Sequence, residues 1–123
     1  MNRIVIFLFI TLSSVFGEPV LDLKAFNEKK LQEYDVVLVN FYADWCRFSR
    51  QLHPIFENTA TLLEESYPAE SKKVLLARVD CEDQTQLALK YHISKYPTIK
   101  IFHNGSILKR EYRGNRSPQE FKK

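Results

Sequence analysis

Cysteine is scarce in this chain: two residues, Cys46 and Cys81, among 123. One internal disulfide is therefore the most it can form. Neither cysteine stands at a zinc-type spacing from His53, His92 or His103, so no metal centre is expected, and nothing calls for a cofactor. Basic runs interleaved with aromatics are missing, which argues against nucleic acid as a partner. The net charge is only +3, with lysines and arginines scattered among acids as on a solvated mixed surface. Repeats and low-complexity tracts are absent. No apolar run approaches the roughly 20 residues that span a bilayer. The sequence stops at Phe121-Lys122-Lys123, without a KDEL-type retrieval ending.

What is present begins with a leader. Arg3 precedes the short apolar run Ile4 to Ile10, then Thr11 to Ser14, then the small-residue pattern Val15-Phe16-Gly17. That is a charged n-region, an h-region and a cleavage site, so residues 1–17 are read as a secretory signal peptide. Residues 18–123 fit one domain, and 45% apolar with 27% charged residues is ordinary for a globular one. A secreted chain enters an oxidising compartment, where cysteines can pair.

The elements follow from periodicity. Val20 to Leu23 reads as a short edge strand and Lys24 to Glu33 as a modest helix. Val36 to Tyr42 is a nearly continuous apolar run rich in β-branched and aromatic residues, as in a strand buried on both faces. Phe48, Leu52, Ile55, Phe56, Thr59 and Leu63 recur at helical spacing, with Pro54 inside as an expected kink. Val74 to Val79 is a second buried-type strand and Gln84 to Tyr91 a short helix. Thr98 to Phe102 and Ile107 to Tyr112 flank Asn104-Gly105, a strong hairpin signal. Ser117 and Glu120 resemble a capping box, but the helix they would open has only seven residues, so the domain is expected to be C-terminally truncated. The alternation predicts an α/β fold: a central mixed sheet flanked by helices, parallel at its core, with an antiparallel hairpin at one edge.

The chemistry concentrates at Trp45-Cys46-Arg47-Phe48-Ser49, where a buried strand gives way to a helix. Free amides and the macrodipole gather positive potential at a helix start. A cysteine there can have its pKa lowered from ~8.5 by one or more units, and the thiolate is the species that exchanges disulfides. Arg47 would add a cation and Trp45 would shield one side. Cys81, at the end of the Val74 to Val79 strand, has three readings: a semi-buried structural thiol, a regulatory partner for Cys46, or a second client site. His53 is about 10 Å up the helix from Cys46, too far for a thiol–imidazole pair. Asn104-Gly105-Ser106 and Asn115-Arg116-Ser117 match the glycosylation sequon.

The run Asn40-Phe41-Tyr42-Ala43-Asp44-Trp45-Cys46 resembles the active-site strand of the thioredoxin and protein disulfide isomerase family. Tyr96-Pro97-Thr98, with Pro97 lying 51 residues after Cys46, resembles that family's cis-proline segment. Cys46-Arg47-Phe48-Ser49, Leu52 to Glu57, Ala77 to Cys81 and Arg110 to Gly114 are similar to an endoplasmic reticulum resident branch of it. The resemblance implies a thioredoxin-like fold and a client-binding Tyr96 beside Pro97. It departs from the family at Ser49, where the second cysteine of Cys-x-x-Cys would stand. A hydroxyl cannot resolve a mixed disulfide, although it can hydrogen-bond the Cys46 thiolate. Asn40 stands where the family often has a buried acid, a proton acceptor for that second cysteine.

The resemblance thus implies thiol-mediated capture of cysteine-bearing secretory client proteins in the endoplasmic reticulum lumen, a protein-folding, chaperone and quality-control role. It adds oxidoreductin-type oxidases as partners, and two further thioredoxin-like domains with a retrieval tail. Two alternatives stand beside it: a monothiol protein disulfide isomerase, and a non-catalytic module in which Cys46 and Cys81 are tied in a disulfide.

Overall fold

A computed structural model describes residues 19–112. The proposed signal segment and the helix expected from Ser117 lie outside the described residues. Strands are Leu21–Asp22 (β1), Val36–Tyr42 (β2), Val74–Asp80 (β3), Thr98–His103 (β4) and Ser106–Glu111 (β5); helices are Lys30–Glu33 (α1), Arg47–Ser66 (α2) and Thr85–Lys90 (α3). The sheet order is β1-β3-β2-β4-β5. β3 runs parallel to both β1 and β2, whereas β4 is antiparallel to β2 and to β5. This is the expected mixed sheet of a thioredoxin-like fold.

β2 is central because both of its faces are apolar. Val37, Val39 and Phe41 pack with Ala77, Val79 and Phe102 under Leu31, Leu87 and Ala88. Leu38, with Leu76 and Ile99, meets Leu52, Phe56, Ala60 and Leu63 of α2 on the other face. Alternation along a strand produces this division.

Two local expectations are corrected. The stretch from Lys24 to Glu33 is a single 3₁₀ turn, Ala25–Asn27, followed by the one-turn α1. Asn27 explains the break: its Oδ1 accepts the Lys24 N–H at 2.7 Å and its Nδ2 donates to the Asp22 carbonyl at 3.0 Å. Side-chain bonds of this kind compete with the helix ladder. The second correction concerns Phe48. The buried stripe of α2 is Ser49, Leu52, Phe56, Thr59, Ala60 and Leu63, while Phe48 is 63% exposed. Pro54 stays within α2, which runs through it as one element of 20 residues.

The hairpin forms where Asn104-Gly105 predicts it. Both residues have positive φ, 50° and 85°, as a type I′ turn requires. Phe41 pairs with Thr98, so the start of β4 lies beside the end of β2. That register brings the Tyr96-Pro97 loop to the start of α2.

The two phenylalanines of α2 should behave oppositely in chemical denaturation. Phe56→Ala should destabilise the domain by about 3–5 kcal/mol, because it empties a buried site. Phe48→Ala should stay within about 0.5 kcal/mol of the parent, as exposed substitutions usually do.

Candidate active site around Cys46

Cys46 is the N-cap of α2. β2 ends at Tyr42, and the turn that follows is closed by the Cys46 N–H donating to the Ala43 carbonyl at 3.0 Å. Its backbone is extended (φ −85°, ψ 121°), and its carbonyl accepts the Arg50 N–H at 3.1 Å, the first turn of the helix. The side chain makes no capping bond as the neutral thiol. Instead the S–H donates to the Tyr96 carbonyl at 3.4 Å.

Ionisation changes the partners that matter. The Cys46 thiol is held below the ordinary thiol range, chiefly by the backbone amide of Ser49. Desolvation opposes this; the Phe48 amide, the Ser49 hydroxyl and the positive charge of Arg50 reinforce it. These are the unbonded donors that every helix start presents. Arg50 donates to the Asp44 carbonyl at 2.9 Å, which keeps it by the turn. Arg47, next to Cys46 in sequence, is exposed, and the charge acting on the sulfur is that of Arg50. Sequence reasoning overlooked Arg50, although its position four residues after Cys46 puts it over the same turn of the helix.

Ser49 is buried, at 3% exposure, and its Oγ accepts the Ala43 N–H at 3.3 Å. It therefore braces the turn that carries Cys46 as well as facing the sulfur. Across the site, the Tyr96–Pro97 peptide bond is cis. Thr98 Oγ1 donates to the Lys95 carbonyl at 2.7 Å and ties that loop to β4. Trp45 is 64% exposed and meets the Tyr96 ring edge-on, with centroids 5.8 Å apart. Trp45, Cys46, Ser49, Tyr96 and Pro97 are thus brought to one end of the sheet. Beside them, Tyr42, Ser49, Arg50, His53 and Pro54 border a cavity of about 270 Å³.

Cys81 has a different environment. It is buried among the core residues, its N–H donates to the Tyr42 carbonyl at 3.0 Å, and its thiol faces the Val79 carbonyl at 3.8 Å. Burial, reinforced by the Asp80 charge, pushes that thiol up to about 11. Both cysteines are free, with no disulfide between them.

Two other polar residues sit on the α2 side of the sheet. Asn40 is 1% exposed, and its Oδ1 has no hydrogen-bond partner among the described residues. His53 stands 3.1 Å from Arg78 and 3.6 Å from Glu57, away from the sulfur. Among the described residues no helix is long and apolar enough to cross a membrane.

Comparison with known proteins agrees with this geometry. The family profile "Thioredoxin" matches residues 18–123. Endoplasmic reticulum resident protein 44 of Mus musculus is 46% identical over 114 residues, covering 89% of this chain and 28% of that protein. The crystal structure of human ERp44 form I superposes with a TM-score of 0.81 at 47% identity, over 87% of this chain and 28% of that one. The first thioredoxin domain of mouse protein disulfide-isomerase A4 gives a TM-score of 0.71 at 32% identity, over 85% of this chain and 71% of that one. The chain thus spans little more than a quarter of the length of the mouse and human ERp44 proteins it matches. On the fold, the placement of Cys46 opposite a cis-proline, and these matches, the chain belongs to the thioredoxin family.

Proposed function

We propose that this domain captures secretory client proteins through reversible mixed disulfides at Cys46, as part of thiol-mediated retention and quality control in the endoplasmic reticulum. The observation that carries the reading is the pairing of an activated N-cap sulfur, 3.4 Å from the Tyr96 carbonyl, with an alcohol at Ser49. The first raises the share of thiolate, the attacking species, above that of an ordinary thiol. The second makes the product persist. The mouse relative is named as an endoplasmic reticulum resident protein, and residues 1–17 acting as a signal peptide would deliver this chain to the same compartment.

The exchange balances simply. The Cys46 thiolate attacks one sulfur of a client disulfide; a new S–S bond forms, the old one breaks, and the other client sulfur leaves as a thiolate. A client that presents a free thiol instead can be joined only if a two-electron oxidant accepts the electrons, the part an oxidoreductin-type oxidase would fill. The Tyr96 backbone beside Pro97 would pair with the extended client segment, and Trp45 with Tyr96 would cover its side chains. Release then waits for an external thiol, because Ser49 has no sulfur to attack with.

Two measurements check this. Cys46→Ser should abolish client adducts on non-reducing gels, while Ser49→Cys should shorten their lifetime, since the introduced sulfur could displace the client and leave an internal disulfide with Cys46. Undiminished adducts in Cys46→Ser would contradict the reading. In the native protein at neutral pH, an alkylating reagent should modify one thiol per chain, and the second only after denaturation exposes Cys81. A count of zero would show the two sulfurs already paired.

A further inference from the structure

A cavity of about 660 Å³ opens beside the cis-proline loop, and the exchange chemistry makes no use of it. Its walls include Lys95, Thr98, Lys100, Lys109, Arg110 and Glu111. It therefore starts next to Tyr96, whose carbonyl meets Cys46, and continues along β4 and β5. Lys100 and Glu111 lie opposite one another in the register of those two strands. Among the described residues the wall holds four cations against one carboxylate, a local excess equal to the net charge of the whole chain, +3. Glu111 is engaged by Lys95 at 3.4 Å. Among the described residues, Lys100, Lys109 and Arg110 have no ion-pair partner.

Clustering these charges is unfavourable for the free domain, because like charges repel across a concave surface that focuses their field. An occupant carrying negative charge relieves that repulsion. The cations are spread over the cis-proline loop, β4 and β5, which suits an extended polyanion better than a single phosphate. Among the described residues no tryptophan, tyrosine or phenylalanine lines the cavity to offer the stacking platform that single-stranded nucleic acid uses.

We propose that this cavity is a subsite for an acidic peptide segment, and that it selects clients carrying Asp- or Glu-rich sequence near the cysteine captured at Cys46. The coupling to capture rests on the mixed-disulfide reading above; the binding of the acidic segment does not. The subsite adds encounter rate and orientation, so its effect is screened by salt.

Two assays on the whole chain separate the ideas. In the first, three cysteine peptides, identical except for acidic, neutral or basic flanks, are each activated as a disulfide with thionitrobenzoate. Cys46 attacks the peptide sulfur, the peptide–thionitrobenzoate bond breaks, and the coloured thiolate leaves. At low ionic strength the acidic probe should react about tenfold faster than the neutral one, within the range of electrostatic steering. That advantage should vanish at high salt and in the triple variant Lys100→Gln, Lys109→Gln, Arg110→Gln, while the neutral probe keeps its rate. An acidic probe that is no faster, or an advantage that survives in the triple variant, overturns the proposal. In the second assay a cysteine-free fluorescent acidic peptide is followed by anisotropy. Binding lost in the triple variant supports the subsite even if Cys46 proves unreactive. No binding to the parent, or equal displacement by an RNA oligonucleotide of matching charge, overturns it.

Discussion

The interaction on which the rest depends is the one between a sulfur and the first turn of α2. β2 is buried on both faces and cannot shift without exposing Val37, Val39 and Phe41 on one side and Leu38 on the other. α2 is fixed against it by Leu52, Phe56, Ala60 and Leu63. The junction between two elements so constrained has little freedom, and Cys46 occupies it. The pairing of Phe41 with Thr98 then brings the cis-proline loop to that sulfur. Packing some distance from the chemistry thus sets the geometry of the site.

The two thiols of this chain show how environment sets the proton affinity of one side-chain type. Cys46 sits where outward-pointing amides lower its proton affinity; Cys81 lies under the sheet end, where burial and Asp80 raise it. A structural thiol fills space as a small apolar group, while a reactive one is defined by what surrounds its anion. Ser49 belongs to the second setting. It supplies an amide and a hydroxyl to Cys46 and its oxygen also accepts the Ala43 amide, so one residue both favours the Cys46 anion and braces its turn.

Much of this was legible in the sequence for physical reasons. The nearly continuous apolar run of β2, the Asn-Gly turn and the strand-to-helix position of Cys46 each have a strong local cause, and the structure places them as those causes dictate. Side-chain orientation was harder to read. Phe48 fits the helical spacing but lies on the outer face, because a period alone does not say which edge of the stripe meets the sheet. The break at Asn27 comes from bonds to Lys24 and Asp22 that compete with the helix, a contest propensity does not decide. Arg50 and Arg47 are equal cations in sequence, and only the turn geometry separates them. Among the described residues Oδ1 of Asn40 has no partner, and a buried polar atom so placed ordinarily costs about 1–3 kcal/mol. Its lack of a partner is a tertiary fact no local pattern carries.

The central claim is that the start of α2 lowers the proton affinity of one sulfur. The most direct test follows thiolate absorbance against pH in a Cys81→Ala chain, folded and then denatured, so that a single sulfur is observed in both states. The account predicts a folded midpoint below the denatured one, with the interval narrowed by Ser49→Ala, which keeps the amide but removes the hydroxyl. Coincident folded and denatured midpoints would contradict it.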